Sequence, residues 1–379
     1  MKIAFASSMN GAPWGGSEFL WYETAKVLAD SGSKVSLVTS RWPDLPAPIQ
    51  TAKDLWGIDH SFDLSGHLSF SRRIANRLPA LGKEGFKIRW LRRTCPDVFC
   101  ISNGSAYGGL EWMEAAMSES VPFVTICQSH ADFISPGDAT AKCLIRAFSA
   151  ARANYFVSRA NQELVECQLG WRFPNARLIA NHSIYLPTSA PLPWPESSDQ
   201  SLKLACVGRL HPPSKGQDLL FNVLAGPLWR DRNLHLSLYG KGDHEECLRR
   251  LASILGISDR VAFMGHISTP MAIWETHHAL ILPSRYEGMP LVVMEAMLAA
   301  RPVITTAVAG APELIEHGRT GFLAEAATIQ HLQRCMEEAW SLREFWPSIG
   351  LAAHVTAAER SHVPPAKRLA GELLDLANP

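Results

Sequence analysis

The chain has 379 residues, which is too long for one ordinary hydrophobic core and favours two or three domains. Apolar residues make up 47% of the chain and charged residues 19%, and the formal net charge is zero. This balance is typical of a folded protein and provides no overall field for nucleic acid or anionic lipid, so such binding would need a local patch.

The cysteines and the apolar runs exclude several classes of protein. No two cysteines form a C-x-x-C pair, and several lie in apolar runs, so we expect reduced core residues rather than disulfides or a zinc site. The eight are Cys95, Cys100, Cys127, Cys143, Cys167, Cys206, Cys247 and Cys335. The N-terminal residues lead directly into a predicted strand and lack a signal-peptide pattern. No run of about eighteen apolar residues occurs, so we expect a cytoplasmic protein.

Short apolar runs alternate with helical patterns along the first half, which is typical of βα units that form a parallel sheet. The clearest helix is predicted over about residues 17–30, where Gly32 is suited to a left-handed C-cap. The strands predicted in this half are 2–7, 34–40, 97–102, 122–128, 155–158 and 177–181.

Four prolines, Pro187, Pro191, Pro193 and Pro195, interrupt this rhythm, and a polar run follows them. Such a stretch fits neither a helix nor a central strand and predicts a stiff linker. Beyond it the βα rhythm restarts, with a helix after Gly216 and others at 290–300 and 312–317. The strands predicted in the second half are 203–208, 234–240, 260–265, 279–283 and 302–308.

The predicted organisation is therefore α/β, with two parallel-sheet, Rossmann-like domains facing each other across a cleft. Ligands of such sheets bind outside the carboxyl ends of the strands, where the cleft would lie. The predicted parts are an N-terminal acceptor domain at 1–186, a linker at 187–200, a C-terminal donor domain at 201–363 and a final helix at 364–379, which we expect to pack on the N-terminal domain.

The densest chemical signal lies in residues 283–296. A strand ends at Pro283, a turn contains Glu287 and Gly288, and a helix begins at about Pro290. Helix starts favour phosphates, and helical side chains lean back toward the N-terminus, so Glu295 can approach the same end. Two carboxylates beside an anion-binding helix end suit a nucleoside diphosphate sugar, whose hydroxyls lie on both sides of its phosphates.

Two cations lie upstream, at the carboxyl edge of the same predicted sheet. Arg209 follows Gly208 at the end of the first strand, and Lys215 precedes Gly216 at the start of the next helix. A guanidinium and an ammonium group together are suited to stabilising a departing diphosphate.

These motifs together resemble the donor domain of family-4 retaining glycosyltransferases of the GT-B fold, the glycosyl transferases group 1. The resemblance covers the second half up to about residue 325 and, more loosely, most of the first half. The segments that carry it are Gly208-Arg209, Lys215-Gly216, Gly240-Lys241-Gly242, 287–295 and 302–322. The chain departs from the family where Ala300-Arg301 and Ala309-Gly310 replace glycines, which affects backbone shape rather than reactive groups.

The resemblance implies roles for individual residues. Glu287 would hold the sugar hydroxyls, Glu295 the ribose, and Arg209 with Lys215 the diphosphate. The remaining donor-binding positions would be Gly15, Gly16, Gly208, Gly240, Gly288, Met289, Pro290 and Leu291. No cofactor or metal is implied, and the substrate would be a UDP- or GDP-linked sugar.

The first half contains two further candidates. The loop Gly15-Gly16-Ser17-Glu18 resembles the Gly-Gly-x-Glu loop of the family, although a plain strand-to-helix turn would have the same sequence. His130 falls where the family keeps a histidine facing the donor sugar, which implies polar contact or electrostatic help rather than a general base; the alternative is a structural histidine. Ser158 and Asn181 are interpreted as structural.

Residues 71–93 are strongly basic, with Phe86, Trp90 and Leu91 interleaved at helical spacing. Such a helix could rest peripherally on the inner face of an anionic membrane and reach a lipid-linked acceptor. The alternative is a solvated helix that packs its aromatic face on the sheet.

Other catalytic patterns are missing from the sequence: it contains no G-x-G-x-x-G, Walker loop, D-x-D, H-E-x-x-H or G-x-S-x-G. We therefore predict a metal-independent retaining hexosyltransferase of polysaccharide biosynthesis, acting on a glycan, lipid-linked or small-molecule acceptor and not on nucleic acid. The alternatives are a GT-B sugar-nucleotide epimerase and an inactive homologue that binds a glycan or a partner. Donor, acceptor and oligomeric state stay open.

Overall fold

The computed structural model describes residues 1–9, 13–63, 85–181, 190–196, 201–267, 269–360 and 364–378. The chain forms two units, one of Met1–His182 with Val363–Pro379 and the other of Ser183–His362. The predicted domain boundary at residue 186 and part of the predicted linker lie outside the described residues.

The first unit is built on a parallel sheet of seven strands in the order β3-β2-β1-β4-β5-β6-β7. The strands are β1 Lys2–Ser7, β2 Lys34–Ser40, β3 Asp59–Asp63, β4 Val98–Asn103, β5 Phe123–Cys127, β6 Ala153–Phe156 and β7 Ala176–Leu178. Strand β3 was missed from the sequence because it lies at the sheet edge, is only partly buried and has a polar sequence. The other six lie where they were predicted, within a few residues.

Among the described residues, six α-helices lie between these strands: α1 Phe19–Asp30, α2 Ala47–Trp56, α3 Phe86–Thr94, α4 Leu110–Ser118, α5 Asp138–Ala150 and α6 Arg159–Leu169. The predicted end of α1 is confirmed, since Gly32 has a φ of 81° and its N–H donates to the carbonyl oxygen of Ala29 at 2.9 Å. Helix α1 buries Leu20, Trp21 and Leu28, so its apolar face packs into the core.

The second unit contains a parallel sheet of six strands in the order β10-β9-β8-β11-β12-β13. The strands are β8 Leu202–Val207, β9 Leu234–Tyr239, β10 Val261–Gly265, β11 Ala279–Leu282, β12 Val303–Thr306 and β13 Gly321–Ala324. Strand β13 was not predicted; it begins at Gly321, directly after a turn, and glycine is a poor strand residue.

Helices cover both faces of this sheet. They are α7 Pro212–Lys215, α8 Gln217–Ala225, α9 Glu245–Ile254, α10 Met271–Trp274, α11 Leu291–Leu298, α12 Ala311–Leu314, α13 Ile329–Ser341 and α14 Trp346–Arg360. Alternate strand residues enter two separate core layers: Leu204 and Ile281 belong to one, and Ala205 and Leu280 to the other. This burial on both faces explains the nearly continuous apolar runs of the strands.

The last helix, α15 Pro365–Ala377, belongs to the first unit and packs on α1. Thr24 Oγ1 donates to the carbonyl oxygen of Ala366 at 3.4 Å. Further along α15, Glu372 accepts hydrogen bonds from the Tyr155 hydroxyl at 2.6 Å and from the Arg177 guanidinium at 2.9 Å. The C-terminal helix is thus tied to α1, β6 and β7 of that unit.

The positions that depart from the resembling family have a clear structure. Ala300 and Ala309 have φ angles of 58° and 46°, so both alanines occupy the left-handed region that favours glycine. The buried guanidinium of Arg301 donates to several backbone carbonyls, including those of Pro193 and Trp274, both at 2.6 Å. Arg301 thereby attaches the described part of the linker to the second unit.

The cysteine prediction is partly wrong. All eight cysteines are free, and Cys100, Cys127, Cys206 and Cys335 are buried. Cys95, Cys167 and Cys247, however, are exposed, because each lies at the end or on the outer face of a helix. In the described parts of the chain, no helix is long and apolar enough to cross a membrane.

Candidate functional site

The strand order of the second unit places its ligand-binding edge. Strand addition reverses between β8 and β11, so the loops that follow these two strands turn to opposite faces of the sheet. A crevice forms outside the carboxyl ends of strands at such a switch point. Gly208 and Arg209 follow β8, and Glu287 lies in the loop after β11, so the predicted residues meet at the position where this fold binds ligands.

Lys215 and Glu287 contact each other directly across this switch point. Lys215 Nζ donates to Glu287 Oε1 at 2.5 Å, and the Ser284 hydroxyl donates to the same oxygen at 2.7 Å. The side chains of Lys215 and Glu287 are only 21% and 11% exposed, so the pair is sheltered from solvent screening. Glu287 Oε2 has no hydrogen-bond partner among the described residues, and this oxygen can still accept from a ligand.

The loops that hold this pair are locked together by contacts that the sequence did not predict. Gly216 has a φ of 65°, and a Cβ there would clash with the carbonyl oxygen of Pro283. The Arg285 N–H donates to the carbonyl oxygen of Ser214 at 2.8 Å. Its guanidinium binds both carboxylate oxygens of Asp218, at 2.7 and 2.8 Å. Helix α7 is therefore fixed to the end of β11.

The predicted glycines Gly208 and Gly240 lie in adjacent loops, with a backbone approach that only glycine permits. Gly240 has a φ of 135°, and a Cβ there would clash with the carbonyl oxygen of Gly208. The next loop residues are also joined, because the Leu210 N–H donates to the Lys241 carbonyl oxygen at 3.1 Å. Arg209 lies between these two contacts along the chain and is exposed at the same edge of the sheet.

The segment Gly288, Met289, Pro290 and Leu291 forms the entry to α11. The helix begins at Leu291, one residue later than predicted, because Pro290 has an extended ψ of 107° and acts as the N-cap. The carbonyl oxygen of Gly288 accepts from the Gly310 N–H at 2.9 Å, which braces this turn from the neighbouring loop. The first N–H groups of a helix have no intrahelical acceptor, so this entry is suited to an anion.

Glu295 lies about one turn inside α11, and its carboxyl has no hydrogen-bond partner among the described residues. Burial raises the pKa of Glu295 from 4.5 to about 7. A buried carboxylate without a donor is costly, and ligand hydroxyls would remove that cost. The structure therefore places one paired and one unpaired carboxylate at the strand ends of the second unit.

In the first unit, Gly15 and Gly16 open a short 3-10 turn, Gly16–Glu18, which leads into α1. The Glu18 N–H donates to the Gly15 carbonyl oxygen at 3.0 Å. Glu18 is buried, which raises the pKa of its carboxyl to about 7, and the Ser17 hydroxyl donates to it at 3.4 Å. The predicted loop thus follows β1 at the switch point of its own sheet, between β1 and β4.

His130 follows β5 and is only 2% exposed. Its Nε2 bonds with Gln168 Oε1 at 2.6 Å, and Gln168 Oε1 also accepts from the Tyr107 hydroxyl at 2.7 Å. Nδ1 of His130 has no hydrogen-bond partner among the described residues. Burial lowers the pKa of His130. Neither Gln168 nor Tyr107 was identified from the sequence, since no motif marks them.

Two more buried polar atoms near this strand edge lack partners among the described residues. They are Nδ2 of Asn103, at the end of β4, and Oε1 of Gln128, just after β5. The two residues are neighbours, because the Gln128 N–H donates to the Asn103 carbonyl oxygen at 2.9 Å. By contrast, Ser158 caps α6 by accepting from the Asn161 N–H at 3.2 Å, which confirms its structural interpretation.

The basic segment 71–93 is described only from residue 85 onward. Helix α3 buries Trp90 and Leu91 in the core of the first unit. Its cations are paired with acids: Lys87 contacts Asp63 at 3.1 Å, and Arg92 contacts Glu119 at 2.6 Å. In this part of the segment, the alternative prediction of an aromatic face packed on the sheet therefore holds. Residues 71–84 lie outside the described residues.

Metal ligands are not gathered anywhere in the part of the chain that the structure describes. No group of three or more His, Cys, Asp and Glu side chains could hold an ion there. A metal-independent reaction stays a prediction.

The chain is similar to known proteins both in sequence and in structure. Residues 201–341 match the family model for glycosyl transferases group 1. An uncharacterised glycosyltransferase of Haemophilus influenzae is 25% identical over 339 residues, covering 89% of each chain. A GDP-mannose-dependent α-(1-6)-phosphatidylinositol monomannoside mannosyltransferase of Mycobacterium tuberculosis is 32% identical over 170 residues, which are 41% of this chain and 43% of that one.

The fold is similar to that of HepE from Anabaena, solved in complex with UDP and glucose. The TM-score is 0.74, with 20% sequence identity and 99% of each chain covered. At this identity the likeness shows the fold. Together with the two parallel sheets, it confirms the predicted GT-B class of two Rossmann-like units.

Proposed function

We propose that this chain, whose residues 201–341 match the family model for glycosyl transferases group 1, transfers a hexose or N-acetylhexosamine from a nucleotide-diphosphate sugar, with retention and without a metal ion. The observation that carries the proposal is the cluster of Lys215, Ser284 and Glu287 at the switch point of the second sheet. It combines a cation for phosphate with a carboxylate that has one oxygen left for hydroxyls.

The leaving diphosphate would be stabilised by positive groups around the carboxyl end of β8. Arg209 and Lys215 supply the formal charges, and the entry to α11 supplies N–H groups and the positive end of the helix dipole. These groups are held in place before substrate arrives, by Gly216 and by the Arg285–Asp218 pair. Preorganised donors need no rearrangement as charge develops on the leaving group.

The two carboxylates would bind the two hydroxyl-bearing ends of the donor. Glu287 Oε2 accepts from the sugar hydroxyls, while Oε1 stays bonded to Lys215 and Ser284. Glu295 accepts from the ribose, which satisfies a carboxyl that has no partner among the described residues. Each bond to a charged acceptor is stronger than a neutral one.

Retention would follow a front-face route. The acceptor oxygen bonds to the anomeric carbon on the face from which the diphosphate departs, and a phosphate oxygen of the leaving group takes the hydroxyl proton. Glu287 is engaged by Lys215 and Ser284, so it is poorly suited to act as a nucleophile. Mass-spectrometric detection of a covalent glycosyl-enzyme would rule this route out.

The relatives support the classes of donor and acceptor. The mycobacterial relative depends on GDP-mannose, and the Anabaena structure holds UDP and glucose, so we propose a UDP- or GDP-linked donor. The name of the mycobacterial protein includes a phosphatidylinositol mannoside, which supports a lipid-linked or glycan acceptor. Contact of residues 71–93 with a membrane stays a prediction.

A thermal-shift screen tests the donor site. The purified chain is melted with UDP, GDP, ADP and their common sugar conjugates. A ligand at about a hundred times its dissociation constant adds roughly 2.7 kcal/mol. We expect one nucleotide to stabilise the protein, with the effect lost in Glu295→Ala and Arg209→Ala but kept in the exposed control Glu344→Ala.

The nucleotide that binds is then tested as a sugar conjugate, with and without glycan or lipid acceptors. Transfer to an acceptor supports the proposal. Conversion of the donor alone into its epimer would favour an epimerase instead. A melting temperature that no nucleotide changes would refute the transferase proposal and favour a binding homologue.

A further inference from the structure

We propose that Gln168 is a positioning residue that holds His130 as the neutral tautomer with its proton on Nε2, leaving Nδ1 as a hydrogen-bond acceptor for substrate. The tautomer depends only on hydrogen bonds within the first unit. Only the use of Nδ1 in glycosyl transfer rests on the proposed function.

The orientation of the Gln168 amide is determined by its neighbours. Its NH₂ group donates to the carbonyl oxygens of Ala131 at 3.3 Å and Asp132 at 2.9 Å. Carbonyl oxygens only accept, so the opposite orientation would place two acceptors against Oε1 and is excluded. Oε1 therefore lies on the side of Tyr107 and His130.

Because Oε1 is only an acceptor, both groups bonded to it must donate. These are the Tyr107 hydroxyl at 2.7 Å and Nε2 of His130 at 2.6 Å. Nε2 thus carries the proton, and in a neutral imidazole the other nitrogen is then an acceptor. The Tyr107 ring also packs edge-on against the imidazole, with 4.5 Å between centroids, which restrains the orientation of the His130 ring.

The imidazole is neutral because burial, the largest influence on its pKa, disfavours the charged form. Burial lowers the pKa of His130, and the hydrogen bond to Gln168 and the nearby backbone of Ile134 offset this only in part. The titratable groups packed on this network are the Tyr107 phenol and the Cys127 thiol, and burial raises the pKa of both, that of Cys127 to about 12. Both are uncharged near neutral pH.

Nδ1 of His130 is buried, and no group in the described ranges bonds to it. Nδ2 of Asn103, at the end of β4, and Oε1 of Gln128, just after β5, also lack partners there. A donor and two acceptors without partners suit a polyhydroxyl ligand, since each hydroxyl can both donate and accept. A neutral His130 gives no positive charge to a leaving diphosphate, so its role is polar contact rather than electrostatic help.

The test is a long-range ¹H–¹⁵N correlation spectrum of the full chain labelled with ¹⁵N-histidine, with His130 assigned from the spectrum of His130→Gln. At pH 7 we expect a protonated Nε2 and an unprotonated Nδ1. Gln168→Met should remove the lock and give a mixture of tautomers. Gln168→Glu should raise the pKa of His130 by about 1–2 units, because a carboxylate then faces Nε2. The same substitution at the exposed Gln330 is the matched control and should leave that pKa unchanged.

A proton on Nδ1, an imidazolium at pH 7, or an unchanged tautomer in a folded Gln168→Met variant overturns the proposal. The wild-type spectrum alone decides the tautomer if the variant fails to fold. The outcome is independent of transfer: the expected tautomer in a protein that no nucleotide sugar stabilises would leave this inference standing and remove the proposed function. If Nδ1 contacts the sugar, its signal should shift on adding UDP-glucose or GDP-mannose but not on adding UDP or GDP. Equal shifts with the nucleotide sugar and with the nucleotide alone would contradict this contact.

Discussion

Replacing Glu295 by glutamine should stabilise the protein without ligand and weaken its binding of nucleotide. The carboxyl lies on α11 without a described partner, and burial raises its pKa from 4.5 to about 7. At ~1.36 kcal/mol for each pH unit, this rise corresponds to about 3 kcal/mol against the ionised form. Glutamine has nearly the same shape and is never ionised, so the variant avoids that cost.

The sign of the effect depends on pH. A carboxyl whose pKa is higher in the folded state than in the unfolded state costs nothing below pH 4.5, because both states are protonated there. The cost grows as the pH rises and is complete above about pH 7. The Glu295→Gln variant should therefore match the wild type at pH 4.5 and exceed it at pH 8, by up to roughly 10 °C in melting temperature.

Nucleotide binding should change in the opposite direction. Ribose hydroxyls donate to an ionised Glu295, whereas glutamine offers one acceptor oxygen and a competing NH₂ group. Hydrogen bonds to charged groups contribute about 1.5–3 kcal/mol, so affinity should fall roughly ten- to a hundredfold. Since a carboxyl with a pKa of about 7 is partly protonated at pH 7, binding to its ionised form should release a fraction of a proton.

The assay is a set of thermal melts at pH 4.5, 6, 7 and 8, with calorimetric titrations in two buffers of different ionisation enthalpy. Glu18 also has a pKa of about 7, so only the difference between variant and wild type isolates Glu295. Glu344→Gln, at an exposed site of the same unit, is the matched control. Parallel pH profiles for Glu295→Gln and wild type would refute the reasoning.

Four smaller changes have defined outcomes. Ser284→Ala removes a donor to Glu287 and should slow transfer about tenfold or more, measured as initial rate at saturating donor. Gly216→Ala, which brings a Cβ against the Pro283 carbonyl at positive φ, should cost more than about 2 kcal/mol in chemical denaturation. Ala309→Gly relieves a φ of 46° and should stabilise by about 0.5–1 kcal/mol in the same assay. In Arg301→Lys, the single ammonium group cannot donate to all the buried carbonyls that the guanidinium binds, so the substitution should lower the free energy of unfolding by about 3 kcal/mol.

Each of these four expectations has an opposing result and a control. An unchanged rate in Ser284→Ala would remove Ser284 from the site, and Ser341→Ala, exposed on α13, is its control. Tolerance of Gly216→Ala, or loss of stability in Ala309→Gly, would contradict the backbone geometry at these positions. Full stability in Arg301→Lys would show that the fork is not needed, with the exposed Arg334→Lys for comparison.

Much of the fold could be predicted from the sequence. Buried parallel strands are short apolar runs, and ten of the thirteen strands were placed within about two residues, including β1 and β2 at their observed bounds. Strand β7 ended three residues earlier than predicted, and β3 and β13 were missed. An edge strand that is half exposed has no continuous apolar run, and β13 begins with a glycine, which is a poor strand residue.

The candidate site was predicted unevenly. Arg209, Lys215, Glu287 and Glu295 were identified because motifs in two stretches of chain mark loops and helix starts at strand ends. Ser284 was found only in the structure, although it precedes Glu287 by three residues, because a serine after a strand has no distinctive pattern. The direct pairing of Lys215 with Glu287 was also unforeseen, since 72 residues separate them in the chain.

The sequence by itself determined what depends on local pattern: two series of βα units, the glycine turns, and the charged residues that follow particular strands. Only the tertiary structure decided which groups share a hydrogen bond, because such pairings depend on strand order and on which side chains a loop brings within about 3 Å. Gln168 is 38 residues from His130, yet it determines which nitrogen of that imidazole carries the proton. Likewise, the burial that raises the pKa of Glu295 depends on how α11 packs, which no local pattern in the sequence shows.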